Sequence, residues 1–235
     1  MKKRVAGGDW RAVIAGARGR VSGGERVLKQ DRSRQRSEEI IAAALRVFAR
    51  DGIAGARISD IAAEAGVPPA SIYDYFPGKQ DLAYAVPIVH QTKFFGEFAA
   101  CADGFVTSRG RLAHYLWLTA DYARRHPVWA RVLYLEIWPS VLVKDSRVRH
   151  VLDDYSRIML SLIAEGAENG EWPRQDEPLQ AATIFTGAIG QLIITWLLYR
   201  RPRDLVGAAA PMIARMLGLL DAPGPALPRR ARIRK

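Results

Sequence analysis

The sequence predicts an all-α fold of about nine helices, and three observations support this prediction. Apolar side chains recur at the spacing of one helix face through most of residues 33–221. Prolines and Asp-Gly or Asn-Gly pairs separate these periodic runs. No run alternates apolar and polar residues as a half-buried strand does. We therefore expect three N-terminal helices, one connecting helix and five further helices after it.

The stretch Ile58–Lys79 predicts two short helices joined by a tight turn. The first helix has an apolar face at the i, i+3, i+4 and i+7 spacing, formed by Ile58, Ile61, Ala62 and Ala65. Gly66 follows directly and suits the left-handed residue that ends a helix. The next two prolines hold the chain extended before a second helix, which we place at about 70–76. Such a pair forms a helix-turn-helix.

One helix precedes this motif and another follows it. An apolar stripe begins near Ser33 and ends at Gly52, so residues 33–80 are expected to form one three-helix domain. Its expected core consists of Phe48, Ile61, Ile72 and Phe76. Asp81 to about Phe98 predicts the connecting helix, in which Pro87 could introduce a kink. Residues 81–221 are then a second helical domain, with periodic runs at 109–125, 128–142, 146–168, 177–199 and 204–220.

The second short helix exposes an unusual set of side chains. With Ile72 and Phe76 turned inward, hydroxyl, phenol, carboxylate and ammonium groups are left outside, on Ser71, Tyr73, Asp74, Tyr75 and Lys79. Hydroxyl, phenol and ammonium groups bind the phosphate oxygens and base edges of DNA. On spacing alone, an ordinary helical hairpin with a polar outer face explains the pattern equally well.

These residues resemble the DNA-binding signature of the TetR/AcrR family of transcriptional regulators. The resemblance extends from Ile40 to Leu82 and is carried by Asp60-Ile61-Ala62, Ala65-Gly66-Val67 and Ile72-Tyr73-x-Tyr75-Phe76-Pro77-x-Lys79. Ala56 departs from the pattern, because the family usually has a capping Thr or Ser there, worth roughly 1 kcal/mol. Pro69 and Ala70 also depart. The resemblance implies DNA contacts from Arg57, Ser59, Pro69, Ser71, Tyr73, Asp74, Tyr75 and Lys79.

The resemblance also implies a homodimer that binds a palindromic operator in double-stranded DNA and responds to a small-molecule effector. In this family the last two long helices form the four-helix bundle of the dimer. We therefore place the dimer contact on the small-residue side of 177–199, at Thr183, Gly187, Gly190 and Ile194. A mainly apolar effector is expected to contact Phe94, Phe98, Trp117, Trp129, Trp138, Tyr155 and Met159. An aromatic stripe of this kind is more often plain core.

The formal net charge of +11 resides at the two ends of the chain. Residues 1–32 contain nine Lys and Arg against three acidic residues, and residues 222–235 contain five with no acid, so residues 33–221 balance at zero. Long-range attraction to DNA must then come largely from the ends. We expect 1–32 to be a flexible basic arm and 222–235 a basic tail. For the arm, a merely solvated tail and a segment that contacts phosphates or the minor groove are both open.

The stretch Leu179–Tyr199 contains no charged residue over 21 positions. That length could cross a bilayer, and the arginines after it would suit a cytoplasmic flank. However, five Gln and Thr residues interrupt the stretch, and one side is small while the other is bulky. A buried helix explains both features, so no membrane partner is expected.

No catalytic residue, metal site or cofactor is expected. The four histidines lack metal-ligand spacing, and no nucleotide-binding glycine motif occurs. The single cysteine, Cys101, lies in an apolar run, is expected in the core and fits a reducing cytoplasm. The hypothesis is a cytoplasmic, sequence-specific DNA-binding regulator, most simply a repressor. The alternatives are a protein that binds nucleic acid non-specifically through its basic ends and a protein tethered to a membrane by 179–199.

Overall fold

The computed structural model describes residues 9–21 and 27–221, and within them it contains ten α-helices and no strand. The helices are Trp10–Val21 (α1), Val27–Gly55 (α2), Ile58–Ala65 (α3), Pro69–Tyr73 (α4), Lys79–Ala102 (α5), Ser108–Arg125 (α6), Pro127–Arg131 (α7), Ser146–Glu168 (α8), Pro178–Tyr199 (α9) and Leu205–Gly218 (α10). The predicted all-α class is confirmed. The nine predicted helices correspond to α2–α10, and α1 is an additional one.

Helix α1 lies within the stretch that the sequence predicts as a flexible arm, so that expectation is wrong for Trp10–Val21. The helix packs on α5 and α8 through three buried residues, Trp10, Ile14 and Ala17. The ring of Trp10 meets Phe98 edge-on, with ring centroids 5.3 Å apart. Because this burial depends on helices far along the chain, the composition of the arm alone does not reveal it. The expectation is also wrong for residues 27–32, because they form the first turns of α2. Residues 1–8, residues 22–26 and the tail 222–235 lie outside the described residues.

Helices α2, α3 and α4 enclose the small core that the sequence predicts. Its four members are at most 9% exposed: Phe48, Ile61, Ile72 and Phe76. Gly66 ends α3 in the left-handed conformation, with φ of 67°, which glycine adopts without a steric cost. Helix α4 begins at Pro69, because a first helical position needs no backbone N–H. It ends at Tyr73, before the predicted boundary at 76.

Helix α5 joins this group to the larger bundle. It runs from Lys79 to Ala102 as one helix that includes Pro87, and it packs against α2 as well as α6, α7 and α8. Near its end Cys101 is exposed, contrary to the expectation that it lies in the core. The reason is that the neighbouring positions Phe98 and Ala102 occupy the buried face of the helix.

Helices α6, α8, α9 and α10 form the bundle behind α5. The predicted helix 128–142 is divided into three pieces: α7, a π-helix over Val132–Ile137 and a 3₁₀-helix over Val141–Lys144. The N–H of Trp138 donates to the carbonyl of Leu133 at 2.9 Å, a span of five residues that is typical of a π-helix. Such segments frequently lie at functional sites, and this one lines the cavity described below.

Candidate DNA-binding surface and effector cavity

The outer face of α4 is held in place by side chains that point the other way. Ile72 is fully buried and Phe76 is 9% exposed, so they anchor the short helix on α3 and in the small core. Tyr73, between them, exposes 57% of its surface. The eight residues predicted to contact DNA are all exposed or half-buried. Sequence reasoning therefore selected residues that a partner can reach, and their contacts with DNA stay a prediction.

Helix α3 begins without a side-chain cap. Arg57 is its N-cap residue, in an extended conformation, and its side chain makes no capping hydrogen bond. Ala56, where the family resemblance leads one to expect a capping Thr or Ser, lies one residue before this N-cap and is buried. Packing in the small core holds the start of this helix.

Lys79 is engaged by the protein's own backbone. Its ammonium donates to the carbonyl oxygens of Ala54 and Ala56, at 2.8 Å each. These carbonyls lie at the end of α2 and just beyond it, so the lysine ties the first turn of α5 to the end of α2. Two of its three N–H groups are used in this way.

A glutamate from the larger bundle reaches the same segment of α2. Gly52 has a φ of 72° and kinks the helix, and the N–H of Ile53 donates to the Glu136 carboxylate at 3.3 Å. A Cβ at position 52 would lie 3.3 Å from the end of the Glu136 side chain, and the positive φ is the reason that the position favours glycine. Glu136 belongs to the π-helix, whose Leu133 and Tyr134 line the cavity.

The bundle encloses an apolar cavity of about 70 Å³ between α5, α6, α8, α9 and the segment 129–138. Five of the seven predicted effector residues line it: Phe94, Trp129, Trp138, Tyr155 and Met159. Phe98 and Trp117 do not. Phe98 is covered by Trp10 of α1, and Trp117 is 36% exposed beside His114. The structure therefore does not bring these two residues to the cavity, because helical spacing does not tell which neighbour covers a side chain.

Sequence reasoning missed most of the remaining wall, which consists of Tyr115, Leu116, Thr119, Leu133, Tyr134, Leu152, Ser156, Thr186 and Ile189. The two tyrosines could have been selected with the other aromatic residues. Thr186 and Ile189 come from α9, and only the packing of α9 on α6 and α8 brings them to the cavity. Burial raises the pKa of Tyr115, Tyr134 and Tyr155 above the usual value, so these phenols stay protonated at neutral pH.

A histidine on α5 touches the cavity wall from behind. His90 stacks on the Trp129 ring, with centroids 5.2 Å apart, and its Nδ1 lies 2.9 Å from the hydroxyl of Tyr122. Burial, and then the nearby His126 and Lys93, lower the pKa of His90 to about 3. The imidazole is therefore neutral, and it connects a cavity residue directly to α5.

The outer side of α9 and α10 is apolar and open to solvent. Thr183 and Gly187 are exposed, Gly190 and Ile194 are half-buried, and a Cβ added at Gly187 would meet no atom within 4 Å. Larger apolar side chains on the same two helices are also at least half exposed: Leu179, Ile184, Leu198, Tyr199 and Leu219. Among the described residues, Pro178–Tyr199 is the one helix long and apolar enough to cross a membrane, and 28% of its most apolar window is buried in the bundle.

Comparison with known proteins shows what this architecture resembles. Residues 40–86, which span the second half of α2 to the start of α5, match the family model for bacterial regulatory proteins of the tetR family. The fatty acid metabolism regulator protein of Bacillus subtilis is 27% identical over 173 residues, which cover 72% of this chain and 87% of that protein. The transcriptional regulator LuxR of Vibrio harveyi is 27% identical over 68% of this chain and 80% of its own.

Solved structures agree with the sequence comparisons. The crystal structure of FadR from Bacillus subtilis in complex with stearoyl-CoA superposes with a TM-score of 0.71 at 25% identity, over 79% of this chain and 97% of that chain. These relatives are regulators, and LuxR and FadR are transcriptional regulators. The family match coincides with the helices that present the outer face of α4. Residues 40–86 therefore match the DNA-binding region of the tetR family, and the chain is similar over most of its length to regulators of this kind, so it is a DNA-binding transcriptional regulator.

Proposed function

We propose that the protein is a cytoplasmic repressor that binds a near-palindromic operator as a homodimer and leaves it when a mainly apolar effector fills the cavity. The observation that carries the DNA-binding part is Tyr73, which exposes 57% of its surface on a short helix anchored by Ile72 and Phe76. We assign residues 33–80 to operator binding and residues 81–221 to effector binding and dimerisation.

The exposed residues of the helix-turn-helix have different proposed roles. Ser71 and Tyr73 read base edges, because they lie on the outer face of α4. Tyr75 contacts phosphate through its hydroxyl, and the basic ends of the chain add attraction that does not depend on base sequence. For Lys79 we propose a positioning role, because its ammonium already donates to two backbone carbonyls.

Dimerisation is proposed through α9 and α10. One helix of five residues offers few base contacts, so tight specific binding requires two copies on two half-sites. The open apolar side of α9 and α10 supports this interface, and Gly187 leaves room for a close approach of two helices. Covering this side with a second copy also removes exposed apolar surface from water.

The proposed effector is mainly apolar. None of the residues that line the cavity carries a formal charge. The solved structure of FadR from Bacillus subtilis contains stearoyl-CoA, a ligand with a long apolar chain. A cavity of about 70 Å³ holds a few water molecules, so a larger effector must displace side chains to enter. That displacement is the basis of the proposed switch.

Two contacts support a path from the cavity to the DNA-binding helices. The first is the stack of Trp129 on His90, which lies on α5. The second is the contact of Glu136 with the Ile53 N–H beside the kink of α2. A shift of either changes the spacing of the two recognition helices, which must match the helical repeat of DNA. By linkage, bound operator must weaken effector binding by the factor with which effector weakens operator binding.

Selection of duplexes from a random pool, followed by titration, tests the proposal. We expect two inverted half-sites about one helical turn or a multiple apart, and a preference of at least about a thousandfold over a scrambled duplex. Tyr73→Ala should reduce this preference. Val106→Ala should not, because it changes a side chain that is 94% exposed in the loop between α5 and α6. Equal affinity for all duplexes would indicate non-specific binding and contradict the proposal.

A further inference from the structure

Two hydrogen-bond donors in the cavity wall are buried without a partner. They are the indole Nε1 of Trp129 and the hydroxyl of Tyr155. Trp129 is only 4% exposed. A buried polar group without a hydrogen bond is unfavourable, and at position 155 phenylalanine would fill similar space without that cost. The wall therefore has polar capacity that the protein itself does not use.

Four other hydroxyl groups of the wall are already engaged by carbonyl oxygens of the backbone. The Tyr115 hydroxyl donates to Tyr155 O at 3.1 Å. The hydroxyls of Thr119, Ser156 and Thr186 donate to carbonyls one turn earlier on their own helices, at 2.8–3.3 Å. The two buried donors without a partner thus differ from these four hydroxyl groups, which the protein itself satisfies.

Within the described ranges 9–21 and 27–221, no lysine or arginine lines the cavity. Three arginines on the lining helices are paired with acidic residues: Arg111 with Glu165, Arg124 with Asp121, and Arg157 with Asp154. A carboxylate that entered the cavity would lose its hydration without gaining an opposite charge, which is costly. Burial keeps the Tyr155 phenol protonated by raising its pKa, so it can donate. An indole N–H can only donate.

We propose that the effector presents one uncharged oxygen that accepts hydrogen bonds, as in a ketone, ester, thioester or amide, to Trp129 and Tyr155. The proposal rests on the proposed function, in which the cavity holds the effector. It excludes a free carboxylic acid, ionised at neutral pH, as the group in the cavity. It also predicts that a pure hydrocarbon gains nothing from these two residues.

Three probes of similar size test this chemistry on the full-length protein: acetophenone, ethylbenzene and benzoate, titrated by calorimetry at neutral pH. In the natural protein we expect benzoate to bind at least about tenfold more weakly than acetophenone. Tyr155→Phe and Trp129→Phe should each reduce the affinity for acetophenone by about two- to tenfold, which is the effect expected from the loss of one neutral hydrogen bond. Ethylbenzene has no oxygen, so neither variant can weaken its binding by removing a hydrogen bond. Tyr155→Phe keeps the aromatic ring and should therefore leave the affinity for ethylbenzene unchanged.

Thr119→Val is the matched control, because Thr119 lines the same cavity but its hydroxyl already donates to the carbonyl of Tyr115 at 2.9 Å. It should leave acetophenone binding unchanged, and circular dichroism should show each variant folded. The proposal would be overturned if Tyr155→Phe lost equal affinity for acetophenone and ethylbenzene, or if benzoate bound most tightly of the three probes. Either result would still be compatible with an effector site in the apolar cavity. If none of the three probes binds, the proposal that the cavity holds the effector is refuted as well. The proposal of operator binding is not affected by that result, because the duplex titrations test it separately.

Discussion

Lys79 offers a sharp test of whether an exposed cation near the helix-turn-helix positions the fold or binds DNA. Lys79→Met removes the ammonium and keeps an apolar stem of similar length. The ammonium donates to two carbonyls at 2.8 Å, one exposed and one partly buried. A hydrogen bond that involves a charged group contributes about 1.5–3 kcal/mol when buried, and much less at the surface. We therefore expect the free energy of unfolding to fall by about 1–2 kcal/mol.

The assay combines urea unfolding with operator titrations at several salt concentrations. If Lys79 only positions α5 against α2, affinity falls but the slope of log affinity against log salt does not change. If it neutralised a phosphate, the slope would decrease by about 0.9 for each subunit. Lys93→Met is the matched control, because Lys93 is an exposed lysine on the same helix. Unchanged stability together with a smaller slope would refute the positioning role.

Three further predictions concern other parts of the molecule. Gly187→Trp should yield monomers with weak operator binding, because the bulky ring would occupy the open side of α9. A dimer mass by light scattering that does not change would rule out this interface. Trp10→Ala should lower the free energy of unfolding by up to about 3–5 kcal/mol, much more than Val13→Ala on the same helix, if α1 is docked as described. Thermal denaturation measures both variants, and equal effects would contradict the docking. In the unfolded chain His90 has its ordinary pKa of 6.5, whereas in the folded protein its pKa is about 3. Between these two pH values only the unfolded chain binds the proton, so the free energy of unfolding should fall as the pH drops below 6.5. The decrease is up to about 1.4 kcal/mol per pH unit. Urea midpoints at pH 7.5 and 5.5 should differ less in His90→Gln, and an identical difference would exclude His90 as the cause.

The helix-turn-helix could be read from the sequence because its determinants are local. Gly66 ends α3, Pro69 starts α4, and the apolar spacing selects the core residues Phe48, Ile61, Ile72 and Phe76. Each of these depends on backbone conformation or on neighbours within a few turns. The same local rules identified the helices of the larger bundle, apart from the π-helical segment, where the hydrogen-bond span changes.

What only the tertiary structure decided depends on contacts between residues far apart in the chain. Helical spacing selects apolar residues but does not say what covers them, so it could not separate Phe94, which lines the cavity, from Phe98, which α1 covers. The partners of Lys79 lie more than twenty residues away, and the Glu136 contact with Ile53 spans 83 residues. Long-range pairs of this kind arise when helices pack, because burial and hydrogen-bond geometry are properties of the assembled bundle and not of any one segment.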